Sequence, residues 1–524
     1  MANDDATRGP EGVPPAVELI GLNKSFGPVR ANRDVSMAVA SGTVHGIVGE
    51  NGAGKSTLMG MLYGFYQADS GRIRIHGRDV CIASPAHAIS QGIGMVHQHF
   101  MLVEPFTVLE NVILGAEEGG LIRDSLAHAR RELKRLGEEY GLGVDPDAVV
   151  GDLPVGLQQR VEILKALYRG AETLILDEPT GVLTPQEADQ LFRMLDGLRA
   201  QGRTVILITH KLREIMAVTD SVSVMRRGTM VAHRRTADTS KEELAELMVG
   251  RKVLLRVEKG AAEPGEPLLE LNRVGLTDGA GVARLKDISF TLRRGEILGI
   301  AGVSGNGQSE LLEVLSGVAG VSEGTVSYKG EVIAGRNRRT DPLAMHRLGV
   351  GHVAEDRHRT AMVMDFSAAE NMILGYHTGP DVNGPVLMDL GRVDDLCRRY
   401  MEKFDVRPVD PHLPATGFSG GNQQKIVLAR EIERDPDLLL VGQPTRGVDI
   451  GAIEFIHKSL IELRDHGKGV LLVSVELDEI LSLADRILVM FGGQIVGEVA
   501  AKDADERTLG LMMAGCAKAA GGEA

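Results

Sequence analysis

Cysteine is scarce in this sequence of 524 residues: Cys81, Cys397 and Cys516 stand far apart and in no metal-ligand spacing. That argues against a disulfide framework or a cysteine-held zinc and fits a reducing compartment. Long apolar runs are missing too. No stretch approaches the ~20 residues that a membrane-spanning helix needs, so at a membrane other chains must supply the spanning part. Positive charge is in deficit, with 58 Lys and Arg against 72 Asp and Glu and a formal net charge of −14. A broad electrostatic grip on nucleic acid is therefore not expected. The basic cluster Arg130, Arg131, Lys134 and Arg135 alternates with Glu132 and leucines, and it reads as a solvated helix face. The opening MANDDATRGPEGVPP is polar and acidic, unlike a secretory signal.

What is present is an ordinary globular composition, 43% apolar and 25% charged, at a length beyond one hydrophobic core. An internal repeat organises it. The segment DVSMAVASGTVHGIVGENGAGKSTLMGMLYG recurs as DISFTLRRGEILGIAGVSGNGQSELLEVLSG, with glycines in register at 42/295, 46/299, 49/302, 54/307 and 64/317. Small insertions then shift the register, so that Gln98 matches Glu355, Asp177 matches Gly442 and His210 matches Val475. Each half is thereby a control for the other.

Short apolar runs alternate with helical stretches in each copy, the pattern of an α/β fold whose mainly parallel sheet is covered by helices. VHGIVG, TLILDEP and TVILITH read as buried strands, and LAHARRELKRLGEEYG as part of an inserted helical subdomain. The expected organisation is a tail at 1–15, a first copy at 16–250, a polar Gly/Pro-bearing linker at 251–266, a second copy at 267–515 and a frayed tail at 516–524.

The chemistry-bearing pieces begin with Gly49, Glu50, Asn51, Gly52, Ala53, Gly54, Lys55, Ser56 and Thr57, a G-x-x-x-x-G-K-S/T phosphate loop between a strand and a helix. Its glycines let successive amides face phosphate oxygens, and the helix N-terminus adds positive potential. Lys55 suits the β- and γ-phosphates of ATP, and Ser56 suits Mg²⁺. Asp177 and Glu178 close an apolar strand, where Asp177 fits the magnesium's water shell and Glu178 fits orienting and polarising the attacking water. Gln98 follows a strand, in position to sense magnesium and the γ-phosphate. His210 closes TVILITH, within reach of the γ-phosphate. Phe26 reads either as an adenine-stacking ring or as a core phenylalanine.

The order and spacing of these pieces resemble the ATP-binding-cassette (ABC) ATPase family, twice over and along almost the whole chain. The distinguishing element is the signature, here Phe418-Ser419-Gly420-Gly421-Asn422-Gln423-Gln424 at the start of a helix. In that family the signature reaches across a cassette–cassette interface to the γ-phosphate held by the opposite cassette. The resemblance thus implies tandem phosphate-loop cassettes with ATPase activity coupled to transmembrane transport, and roles for Ser419, Gly420, Gly421, Asn422 and Asp449 beside the first copy's ATP.

The second copy has Gln308, Glu355, Gly442, Gln443 and Val475 where the first has Lys55, Gln98, Asp177, Glu178 and His210, and Gly279 where the first has Phe26. The first copy is damaged only in its signature, where Pro154 and Val155 replace the family's serine and glycine. Its Thr184 stands where the second copy has Asp449. If each site joins one copy's phosphate loop to the other's signature, every defect falls in the same composite site, and one hydrolytic site remains.

Within the family the match is closest to bacterial nucleoside (purine-type) importer ATPases, through MVHQHFMLVEPFTVLENVILG, QQRVEILKALYRGAETLILDEPT, GNGQSEL, FSGGNQQK and the glutamine of GQPTRGVD. Simple-sugar importer ATPases share GENGAGKST and PTRGVD and remain an alternative, while a twin-cassette translation factor sits badly with the charge and the degenerate site. The resemblance implies two membrane permeases and a substrate-binding lipoprotein as partners, and a peripheral place on the cytoplasmic face of the plasma membrane.

Overall fold

A computed structural model describes residues 14–97, 100–116, 122–180, 183, 185–252, 257, 259–303, 305–448 and 450–515. The chain divides into two compact units, Met1–Val253 and Leu254–Ala524.

In the first unit a six-stranded sheet runs in the order Thr229–Arg235, Ser221–Arg226, Val44–Gly49, Thr204–Thr209, Thr173–Asp177, Ile93–Val96. Only the first pair is antiparallel. The central strands are buried throughout, as VHGIVG and TVILIT require, because a parallel sheet covered on both faces needs apolar side chains on both. Register then places the functional ends together: Val48 pairs with Thr209 and Asp177 with Ile208, so Gly49, Asp177 and Thr209 finish at one sheet edge. A four-stranded antiparallel sheet, ordered Val29–Val39, Val17–Phe26, Ser70–Ile75, Arg78–Val80, packs beside it. Leu19, Leu22 and Met37 from that sheet meet Leu58, Met59 and Leu62 of the helix Lys55–Tyr63, and Ile47 and Ile206 of the central sheet, in one core.

The inserted helical segment comprises Val108–Ile113, Ile122–Tyr140 and Val155–Tyr168. Helix Ile122–Tyr140 buries Ala129, Leu133, Leu136 and Tyr140, a stripe at helical spacing. The basic residues Arg130, Arg131, Lys134 and Arg135 face solvent. Arg130 pairs with Asp147 at 2.5 Å, Lys134 with Glu138 at 4.0 Å, and Arg135 with Glu132 and Glu139.

The second unit repeats this plan: sheets ordered Val350–Val353, Leu438–Gly442, Gly469–Ser474, Ile297–Ala301, Arg486–Phe491, Gln494–Ala500 and Ala283–Arg293, Pro267–Thr277, Glu323–Tyr328, Glu331–Gly335. Repetition extends to detail. The capping box Thr107/Glu110 recurs as Ser367/Glu370, each satisfying two otherwise orphaned amides at a helix start. Just before the second unit's first strand, Lys259 Nζ donates to Leu483 O at 3.0 Å and Arg464 Nη2 to Gly260 O at 3.2 Å. Among the described residues no helix is long and apolar enough to cross a membrane.

Candidate nucleotide site

The loop from Gly49 to Thr57 hangs between the buried strand Val44–Gly49 and the helix Lys55–Tyr63. Gly54 caps that helix at φ +96°, and a Cβ there would stand 2.4 Å from Ala31 O, so only glycine fits. Gly49 is equally confined, its Cβ position lying 2.4 Å from Met225 O. The buried Asn32 steadies the turn by donating to Gly54 O at 3.2 Å. Ala53 N donates to Glu50 O at 3.0 Å, and Gly228 N to Ala53 O at 3.0 Å. Gly52 sits at φ +77° with open space where a Cβ would be, and Asn51 and Thr57 complete the loop and the first turn.

Lys55 is buried, and its Nζ donates to Gly49 O at 2.7 Å and Glu50 O at 3.0 Å. Burial lowers its pKa, opposed by the charges of Glu178, Asp177 and Glu50. Asp177 is shifted the other way: burial and the neighbouring Glu178 raise it, and a hydrogen bond from Ser56 together with Lys55 holds it back. Glu178 lies just past the strand at φ +47°, with its amide donating to Ile208 O at 2.8 Å. His210, one residue beyond Thr204–Thr209, brings Nδ1 to 2.8 Å from Glu178 Oε1. Burial pushes the Glu178 carboxyl up, but the His210 bond and the charges of His210, Lys55 and Lys211 prevail, leaving it below the ordinary value. Lys55, Ser56, Asp177, Glu178 and His210 thus form one cluster. Gln98, Thr184 and Asp449 lie outside the described residues.

Phe26 ends the strand Val17–Phe26 and is exposed. It is not a core residue: its ring meets Tyr66 edge-on at 5.1 Å, with Lys24 Nζ 5.5 Å from its centroid. Tyr66 and Asn32 escaped the sequence reading. The only signal was an aromatic shortly after the loop helix and a polar residue inside an apolar strand.

The second unit keeps the scaffold and changes the chemistry. Gly307 caps its helix at φ +103°, as Gly54 does, but Gln308 is buried with neither amide atom bonded. Glu355, raised by burial, accepts from Ser309 Oγ at 2.6 Å. A Cβ on Gly442 would come within 2.5 Å of Glu355 Cγ. The two replacements therefore fit each other: Glu355 fills space that an aspartate side chain at 442 would need. Gln443 keeps φ +47° and accepts at Oε1 from Val475 N at 3.3 Å. Gly279 lies in an open turn.

The two signatures also differ. Ser419 caps helix Gly420–Ile432, and its Oγ accepts from Asn422 N at 3.4 Å and Asn422 Nδ2 at 3.0 Å. Gly421 follows within the first turn. Pro154 occupies the cap of helix Val155–Tyr168 rather than its first turn, and it has no side-chain acceptor to offer the orphaned amides there. Among the described residues no cluster of three or more His, Cys, Asp and Glu side chains gathers as a metal centre.

Comparison with known proteins bears on both units. A family model described as ABC transporter matches residues 32–181 and again 285–446. The chain is 46% identical over 499 residues to the nucleoside import ATP-binding protein NupA of Lactococcus lactis subsp. cremoris, covering 95% of this chain and 98% of that protein. It is 45% identical to the guanosine import ATP-binding protein NupO of Bacillus subtilis, covering 97% and 99%. It is 40% identical to the ribose import ATP-binding protein RbsA of Corynebacterium glutamicum, covering 93% and 91%.

Proposed function

The chain belongs to the ABC transporter family through both of its halves and is an ATPase of the transport-coupled kind, and we propose that it powers nucleoside import through separate membrane permeases. The observation that carries this reading is the end-to-end similarity to nucleoside and guanosine import proteins at 45–46% identity, joined to the cluster of Lys55, Ser56, Asp177, Glu178 and His210 in the first unit and its replaced counterpart in the second. The ribose and glucose import relatives, at 40% and 44%, belong to the same family. The glutamine of Gly442-Gln443-Pro444-Thr445 favours the nucleoside branch.

Residues 49–57 wrap the phosphates of ATP, with Lys55 on the β- and γ-phosphates and the exposed face of Phe26 on adenine. Glu178 polarises the attacking water, and its depressed pKa keeps it ionised for that task. His210 holds Glu178 through Nδ1, which leaves Nε2 for the γ-phosphate. The donor set fits Mg²⁺: a hydroxyl, Ser56, hydrogen-bonded to a buried carboxylate, Asp177, whose pKa is raised beside another carboxylate. Ser56 and Gln98 would hold the ion directly and Asp177 through water, and the bound ion supplies charge neutralisation at the phosphates. By the family resemblance, Ser419 to Asn422 and Asp449 act on ATP held by a Lys55 loop, and Pro154 goes with the degenerate Gln308 loop. Two membrane permeases are its partners, with a substrate-binding lipoprotein reached through them, and the chain itself sits peripherally on the cytoplasmic face of the plasma membrane.

Uptake of labelled nucleosides and pentoses by cells with and without the gene tests the reading. Nucleoside uptake should collapse in its absence. Loss of ribose uptake with nucleoside uptake intact would put the sugar reading in its place.

A further inference from the structure

We infer that Arg357 is a positioning residue for ATP hydrolysis, clamping the intact signature to the loop that leads into Asp449. The inference rests on the shared-site reading above. Arg357 opens the turn Arg357–Ala361, which follows strand Val350–Val353. Its Nη1 donates to Arg446 O at 2.7 Å, and its Nε donates to Gln423 Oε1 at 3.3 Å. One planar cation therefore joins three segments far apart in sequence, in two directions that a single ammonium does not serve.

The signature is built around this guanidinium. Gln423 Nε2 donates to Ala415 O at 3.0 Å and Phe418 O at 3.1 Å, so its Oε1 is turned toward Arg357 and toward His358 Nε2 at 2.9 Å. A Cβ on Gly420 would stand 2.7 Å from Arg357 Nη2 and 2.9 Å from Gly447 O. The backbone oxygen of Gly447 and the guanidinium together leave room only for glycine at this signature position. Burial lowers the arginine's pKa with only the charge of Asp356 in opposition, a cost that a solvated surface arginine does not meet.

The first unit shows what happens without it. Gln158 Nε2 makes the corresponding bonds, to Val150 O at 3.3 Å and Leu153 O at 2.9 Å. The first unit's shorter segment between Val96 and Val103, His97-Gln98-His99-Phe100-Met101-Leu102, contains no arginine, and the residue matching Gly420 is Val155, exposed at the start of its helix. The arginine and the glycine it presses upon occur together in the unit whose signature keeps its serine, and neither is present where the serine is lost.

The experiment uses the full chain with Arg357→Ala, Arg357→Lys and Ser419→Ala, reading steady-state ATPase, affinity for a fluorescent ATP analogue, and amide exchange over residues 444–448. Both Arg357 variants should lose about ten-fold or more in kcat with analogue affinity within about two-fold, since the loop and lysine that hold the phosphates belong to the first unit and the signature acts chiefly on turnover in this reading. Exchange over 444–448 should rise in Arg357→Ala. If that variant fails to fold, Arg357→Lys, which keeps charge and stem, decides alone. A kcat within about two-fold of wild type, or a loss expressed in affinity instead of kcat, overturns the inference. Ser419→Ala separates the two readings. Lost turnover there with unaffected Arg357 variants removes only the clamp, whereas full activity in Ser419→Ala removes the shared site as well.

Discussion

Glu178 and Gln443 hold the same left-handed backbone, φ +47°, although only one of them carries a carboxylate. Such a conformation costs on the order of 1–3 kcal/mol at a non-glycine residue and persists only where the surroundings fix it. Here both amides donate across the sheet edge at 2.8 Å, Glu178 to Ile208 O and Gln443 to Val473 O. The fold thus supplies the geometry in both units and the side chain alone supplies the chemistry. Glu178→Gln should keep the backbone, ATP binding and thermal stability, and reduce kcat by about two orders of magnitude or more. Substantial residual ATPase in the purified variant would refute one hydrolytic site per chain. Lys55 carries a pH consequence. Its folded pKa lies below the ordinary 10.5 because burial disfavours the charged form. As pH rises through that lowered value the loop loses its cation, so ATP affinity should fall before pH 10.5 is reached. Titration of ATP affinity against pH measures this, and a flat profile up to 10.5 would contradict it.

Elements show how a strand or helix end is specified, and how far the sequence reveals it. The strand Val44–Gly49 holds His45 fully buried between Ser221 Oγ at 2.8 Å and Ser223 Oγ at 2.7 Å. Burial, with a smaller contribution from His233, pushes its pKa down from 6.5 to about 3. Above pH 6.5 neither the folded nor the unfolded ring is protonated. Between 6.5 and about 3 only the unfolded chain takes up the proton, so stability falls as pH drops through that window, by about 1.4 kcal/mol per pH unit. His45→Asn should flatten the slope of unfolding free energy between pH 6 and pH 4 by about one proton, measured by urea titration at each pH. An unchanged slope would show that the ring is not held neutral. At the signature helices, Pro154→Ser should restore the missing cap and stabilise the protein by about 1 kcal/mol, read as a higher melting temperature, without raising ATPase. The phosphate loop and the DE strand end were legible because residue type and spacing there are dictated locally, by left-handed glycines and a period of buried apolar residues. The Glu178–His210 contact was not, since the two residues come from neighbouring strands 32 positions apart. Nor was the fit of Glu355 against Gly442, which depends on a distance that no single segment contains. Phe26 was legible as an aromatic but not as one half of a pair with Tyr66.

At the scale of the whole molecule, the repeat gives two units that each have their own sheets and core, and the shared-site reading divides labour between them. Met1–Val253 and Leu254–Ala524 are separately compact, and residues 259 and 260 are tied to the second unit by Lys259 and Arg464. A cut near residue 255 therefore leaves both cores intact, although it falls among residues outside the described set. Under the shared-site reading neither half carries a full set of ATPase groups: the first has Lys55, Asp177, Glu178 and His210 with the broken Pro154 signature, the second has Ser419 to Asn422 with Gln308 in its loop. The half of residues 1–253 should bind ATP, since Lys55 and the loop glycines belong to it, and yet hydrolyse it slowly. Adding residues 254–524 in trans should restore part of the turnover in proportion to the concentration of the second half, because association replaces the covalent tether and its effective concentration. Ser419→Ala in the added half should abolish that gain, while Gln308→Ala should leave it unchanged. Full ATPase from the first half alone, with no response to the second, would mean that the signature of the second unit takes no part in hydrolysis.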